Sequence, residues 1–265
     1  MSKTFSREFV FQLFALIISV ILVHGVYVTV VWPNAEAVLA QQREMTQKDP
    51  DYVAESSFYI IVKDYEQESC FVLMLWCLAI IGYKGNATVQ ERKLFDQPLM
   101  PIAEGVRILP EDSREYARHL QGLDDLQKSR LLPRSLLNAL IRFGATRNVQ
   151  DVASSTHQLM SSEAERMESE LSMVRYILWA IPAIGFIGTV RGIGLALNMA
   201  HRAVEGDVSG VTENLGTAFN STLIALLISI LLMFLVHQLQ LMQERLVFDA
   251  ESYTDDHLIR HLHTS

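Results

Sequence analysis

The distribution of apolar residues along this 265-residue chain predicts an all-α integral membrane protein. Three observations carry the prediction. The first is a pair of apolar arms, IPAIGFIGTVRGIGLALNMA from Ile181 and LGTAFNSTLIALLISILLMFLV from Leu215, joined by a short polar stretch. The second is an uninterrupted apolar run from Phe9 to Trp32, and the third a shorter one from Cys70 to Tyr83. A helix rises ~1.5 Å per residue, so about 20 apolar residues cross a hydrocarbon core ~30 Å thick. Four spans follow.

Bulk composition alone does not decide this, because 50% hydrophobic and 20% charged residues suit soluble and membrane proteins alike. The net charge of -8 and the absence of a Lys/Arg block argue against nucleic-acid binding. Cys70 and Cys77 share one helix face but stand too far apart along it for a disulfide. With no GxxxxGK[ST] loop, GxSxG elbow or zinc spacing, neither an enzyme nor a bound cofactor is expected.

Taken in order, residues 1–8 form a cytoplasmic N-terminus with Lys3 and Arg7, and 9–32 the first span, closed by Pro33. Ala35-Glu36-Ala37 offers a signal-cleavage pattern, but signal cores run about 7 to 15 residues, so this longer run reads as a retained span. Cleavage would leave three spans in the same orientation. His24 reads as a polar residue on a packed face. Residues 33–68 are acidic (Glu36, Glu44, Asp49, Asp51, Glu55, Asp64, Glu66, Glu68) and read as periplasmic, partly helical. Residues 69–84 form the second span, the shortest.

Residues 85–172 are rich in Arg and Lys, and Lys84, Arg92 and Lys93 lie close enough to a span for the positive-inside rule to place the region in the cytoplasm. Pro98, Pro101, Pro110 and Pro133 divide it into short helices. Leu136, Leu137, Leu140 and Ile141 make an amphipathic patch, and Gly144 suits a C-terminal cap. Val149, Val152, Thr156, Leu159, Met160, Met167, Leu171 and Val174 mark one face of a helix running unbroken into the third span, residues 173–200. That face serves bundle packing, with docking of a soluble partner the alternative. Residues 201–213 form a periplasmic turn around 205–207, 214–238 the fourth span and 239–265 a cytoplasmic C-terminal helix, placing both termini inside. His257 and His261 are spaced for a metal, but without a third ligand a solvated tail is expected.

The hairpin differs from ordinary anchors in its small and hydroxylated residues. Gly185, Gly188, Thr189, Gly192 and Ala196 recur at steps of three and four on the first arm, as do Ala218, Thr222, Ala225 and Ser229 on the second. Small residues let membrane helices approach closely. Thr189 and Thr222 lie about 17 and 16 residues from the turn, so their hydroxyls reach one depth. Pro182 should bend the third span toward its cytoplasmic side, as a static kink or a hinge.

Ile181-Pro182-Ala183-Ile184-Gly185-Phe186-Ile187-Gly188-Thr189-Val190 resembles the aPxxGxxGTV signature of the MotA/TolQ/ExbB proton-channel family. Ala218-Phe219-Asn220-Ser221-Thr222-Leu223-Ile224-Ala225-Leu226 resembles its AFxTTLxGL signature. The likeness covers about 163–247, with Ala225 at a usual Gly, Ser221 at a frequent first Thr, and Arg191 where an aromatic or aliphatic residue is commoner. Arg191 could snorkel outward or pair with an acid on a partner or neighbouring subunit. TolQ- and ExbB-like members imply three spans, MotA-like ones four.

The resemblance implies a homopentamer in the bacterial inner membrane, with long cytoplasmic helical extensions, around two copies of a single-span ExbD/TolR/MotB-like protein. That partner's membrane aspartate carries the ion past hydroxyls at Thr189, Thr222 and Ser221. The residues agree: the arms contain no Asp or Glu at 181–199 or 215–236, and threonine does not titrate near neutral pH. The carboxylate is therefore expected from another chain. The expected function is an ion-channel subunit, for protons or sodium, of a stator motor coupling ion-motive force to mechanical work. The alternative is a non-conducting membrane scaffold. A transporter would need paired broken helices or an internal repeat, and neither is present.

Overall fold

The structure, a computed structural model, describes residues 2–48, 52, 57–100, 106–204 and 206–264, without the side chains of 2–6 and 47. Asp49, Asp51, Glu55, Pro101 and Glu205 lie outside the described residues, as does the Lys3 side chain. Regular structure among the described residues is helical, apart from one isolated parallel bridge between Ile108 and Leu262. Four helical stretches are long and apolar enough to cross a membrane: Arg7–Thr46, Tyr65–Arg92, Val149–Asn198 and Ser209–His261. The chain divides into two units, residues 1–81 with 173–236, and 82–172 with 237–265.

In the first unit, α1 (Ser2–Val26) passes through a wider π-type turn (Tyr27–Val31) into α2 (Trp32–Lys48). Pro33 ends the apolar run but does not end the helix. A proline has no N–H to give, and the turn absorbs that loss: Trp32 N–H bonds the Tyr27 carbonyl and the Asn34 amide caps the Val30 carbonyl at 2.7 Å. Tyr27 and Val31 are buried against Val62, and Tyr27 donates its hydroxyl to the Val62 carbonyl at 2.8 Å. After the short α3 (Phe58–Ile61), α4 (Tyr65–Arg92) starts in this unit, its 28 residues well beyond the sixteen or so expected of the second span. Cys70 and Cys77 are buried and unoxidised.

The hairpin closes the unit. Its first arm is α9 (Ser172–Asn198), which contains Pro182, and the short α10 (Ala200–Val204) leads to α11 (Ser209–His257), which begins with the second arm. The Ile181 carbonyl, on the residue before Pro182, receives the Cys70 thiol at 3.7 Å.

The second unit packs α5 (Ser113–Gln121), α6 (Asp125–Lys128), α7 (Leu131–Thr146) and α8 (Val149–Glu170) with the end of α11. Its core joins Leu120, Leu132, Leu136, Leu140, Phe143 and Val152 to Leu258, Ile259 and Leu262. The C-terminal stretch is thus core, not the solvated tail expected. His257 stacks on Tyr253, His261 bonds the Val106 carbonyl, and the described residues hold no metal-ligand cluster. Leu136 and Leu140 are buried and Leu137 partly so, whereas Ile141 points outward.

Gly144 is not a cap but sits inside α7, where an added Cβ would lie 2.5 Å from Ser113 Oγ. The left-handed capping position falls to Arg147 (φ 52°). The face predicted on α8 is buried at Val152, Thr156 and Met160, but the helix breaks for one residue at Leu171. That face also buries Glu163, which apolar periodicity does not reveal. Arg134 and Arg166 both pair with it, and Arg166 also reaches Glu170, which Lys84 holds at 2.6 Å. A buried carboxylate needs such cations to offset the loss of its hydration.

Candidate functional site: the hairpin seam

The two arms meet along their small residues. A Cβ on Gly185 would stand 2.5 Å from Ala225 Cβ, one on Gly188 2.6 Å from Ser221 Cβ, and one on Gly192 2.7 Å from Ala218 Cβ. Real Cβ contacts are not this short, so each glycine is what lets the opposite helix approach. Ala225 fits because it faces a glycine.

Within this contact Thr189 and Thr222 hydrogen-bond each other through their hydroxyls. Thr189 Oγ1 also lies 3.1 Å from the Ala218 carbonyl and 3.3 Å from that of Gly185, and Thr222 Oγ1 lies 3.1 Å from the Gly185 carbonyl. Each hydroxyl has one proton to donate. Two protons therefore serve two carbonyls and two hydroxyl oxygens, so the donors can exchange partners without moving a backbone. Both side chains are half-buried.

Ser221 does not join this pair. Its side chain faces Gly188, its hydroxyl donates to the Thr217 carbonyl at 2.9 Å, and it receives the Gln67 amide at 3.4 Å. Gln67 is fully buried and also donates to the Ile61 carbonyl at 3.0 Å. Its carbonyl oxygen is buried without a partner.

Arg191 meets two acids of its own chain. Its guanidinium holds both oxygens of Glu66 at 2.7 Å and stands 3.7 Å from Asp64 Oδ1. The Glu66 side chain rests against Gly188, where an added Cβ would be 3.1 Å from its Cγ. Beside it Glu68 pairs with His24 at 2.7 Å, and Lys63 with Glu213 at 3.5 Å. His24 is therefore partnered rather than packed on a face. Burial raises the Asp64 carboxyl above the usual carboxylate range, against the lowering effect of Lys63 and Arg191.

Sequence reading placed 64–68 in an external segment and so missed its contacts with the seam. The only signal was the density of charge just before a span, with a single arginine inside an apolar arm to answer it.

Four helices long and apolar enough to span, two of them joined by a hydroxyl-bearing hairpin seam, define a multi-pass helical membrane protein. Residues 127–252 match the model of the MotA/TolQ/ExbB proton channel family, so this region is similar to that family. The match begins upstream of the stretch the signatures suggest and takes in α7 and α8. No curated protein and no solved structure matches the chain.

Proposed function

We propose that this chain is the ion-channel subunit of a stator motor. Five copies surround two copies of a single-span partner, and protons moving down their gradient drive mechanical work on an envelope or cytoplasmic load. The complex sits in the bacterial inner membrane with both termini of this chain in the cytoplasm. The observation that carries the reading is the Thr189–Thr222 hydroxyl pair, bonded across the contact between the two arms. Ser221 and Gln67 extend the polar seam.

Neither arm holds a carboxylate, and a hydroxyl positions a proton carrier without storing the proton. The partner's membrane aspartate is the carrier. Carboxylates are tolerated at membrane depth where they face a polar cavity, and the seam offers one side of it. Pro182 shapes the first arm at the entry to the seam, and Gly185, Gly188, Gly192 and Ala225 keep its walls together. Sodium in place of the proton would show as work that follows the sodium gradient.

Thr222→Val keeps the volume and removes the hydroxyl. In the native host it is expected to abolish ion-driven work, as loss of the partner's aspartate does, with the complex still assembled. Normal work in both variants would favour a scaffold that does not conduct.

A further inference from the structure

Asp64, just before α4, and Glu66, in its first turn, bring to the seam the acidic groups its arms lack. Arg191 serves two carboxylates unequally, gripping Glu66 with two contacts of 2.7 Å but standing 3.7 Å from Asp64, beyond a hydrogen bond. The second oxygen of Asp64, Oδ2, is buried with no hydrogen-bond partner. Less than one helical turn along, Gln67 is 0% exposed and its Oε1 is equally unpartnered, although its amide reaches Ser221 in the seam. Buried acceptors without a donor are costly, and a functional proton, water or cation is one explanation for keeping them.

We propose that Asp64 is a proton-holding residue of the ion path, supplied by this chain itself. Its Oδ2 takes a proton from the outer aqueous side and releases it toward the seam and the partner's aspartate. The step needs only that exchange: an O–H bond forms at Oδ2 on uptake and breaks on release, leaving Asp64 anionic beside Arg191. Because Arg191 is anchored on Glu66, the proton can come and go without unlatching α4 from α9.

The groups facing Asp64 are Lys63 and Glu66 in its own segment, Arg191 from α9, and Glu213 from α11. Burial, Glu66 and Glu213 favour the protonated form, and Lys63 and Arg191 oppose it. Opposed effects of this kind suit a group that must both bind and release. The inference rests on reading the hairpin as an ion path, and its test separates the two.

The test uses the complex purified with its partner from native membranes and reconstituted in vesicles with an imposed voltage and a trapped pH dye. Asp64→Asn is expected to lose voltage-driven proton flux down to that of empty vesicles while co-purifying normally. Asp64→Glu is expected to retain flux with the acid limb of its pH profile displaced. Full flux in Asp64→Asn, with Thr222→Val blocked, overturns the role of Asp64 and leaves the ion path standing. Full flux in Thr222→Val overturns the path. Should Asp64→Asn fail to assemble, the infrared band of a protonated carboxyl decides: a band that shifts between wild type and Asp64→Glu supports the assignment, and an unchanged band refutes it.

Discussion

Asp64 is the residue whose chemistry differs most from what its position in the sequence suggests. Its side chain is 18% exposed, yet it makes only a loose contact with Arg191. A carboxyl raised by burial holds its proton in the folded chain at pH values where the unfolded chain has released it. In that window the native state binds more protons, so stability falls as pH rises. The midpoint of thermal unfolding in detergent is therefore expected to drop from the ordinary carboxylate pKa up to the raised one of Asp64. Asp64→Asn should flatten that part of the profile, and an identical slope in the variant would show that another group is responsible. Arg191, by contrast, was legible as an anomaly in an apolar arm but not as a bidentate partner of Glu66. Pairing across 125 positions is fixed by tertiary contact and leaves no local pattern.

Among the elements, the hairpin was the most legible. Its small residues recur at helical spacing, and that spacing dictates which faces meet. The register between the arms was not written in either one alone: Gly185 opposes Ala225, Gly188 opposes Ser221 and Gly192 opposes Ala218. Gly185→Ala places a methyl on a methyl and is expected to destabilise the chain by about 1–3 kcal/mol, as overpacking does. Adding Ala225→Gly moves the methyl to the other helix and should restore part of the loss, limited by the Ser221 carbonyl and Thr222 Cα at 3.2 and 3.3 Å. Thermal unfolding of the two variants in detergent checks this, and equal loss in both would show that the arms do not pack through this pair. Pro33 and Gly144 show the opposite case. Both look like breakers in sequence, but a π-type turn accommodates the first and a close approach by Ser113 explains the second.

At the scale of the whole molecule, four apolar stretches were enough to anticipate a helical membrane protein, because hydropathy over a span is a local property. The second unit was harder. Its core depends on Leu258, Ile259 and Leu262 returning from the far end of the chain, and on Glu163 being buried under Arg134 and Arg166. Neither follows from periodicity, since one is a long-range contact and the other a charge on an apolar face. The central claim is that the Thr189–Thr222 seam conducts only with a carboxylate-bearing partner beside it. The most direct measurement is voltage-driven proton flux in vesicles carrying the complex, compared between wild type, Thr222→Ser and Thr222→Val. Flux in wild type and Thr222→Ser, with none in Thr222→Val or without the partner, is the predicted result. Equal flux in Thr222→Val, or none in the intact wild-type complex, would contradict it.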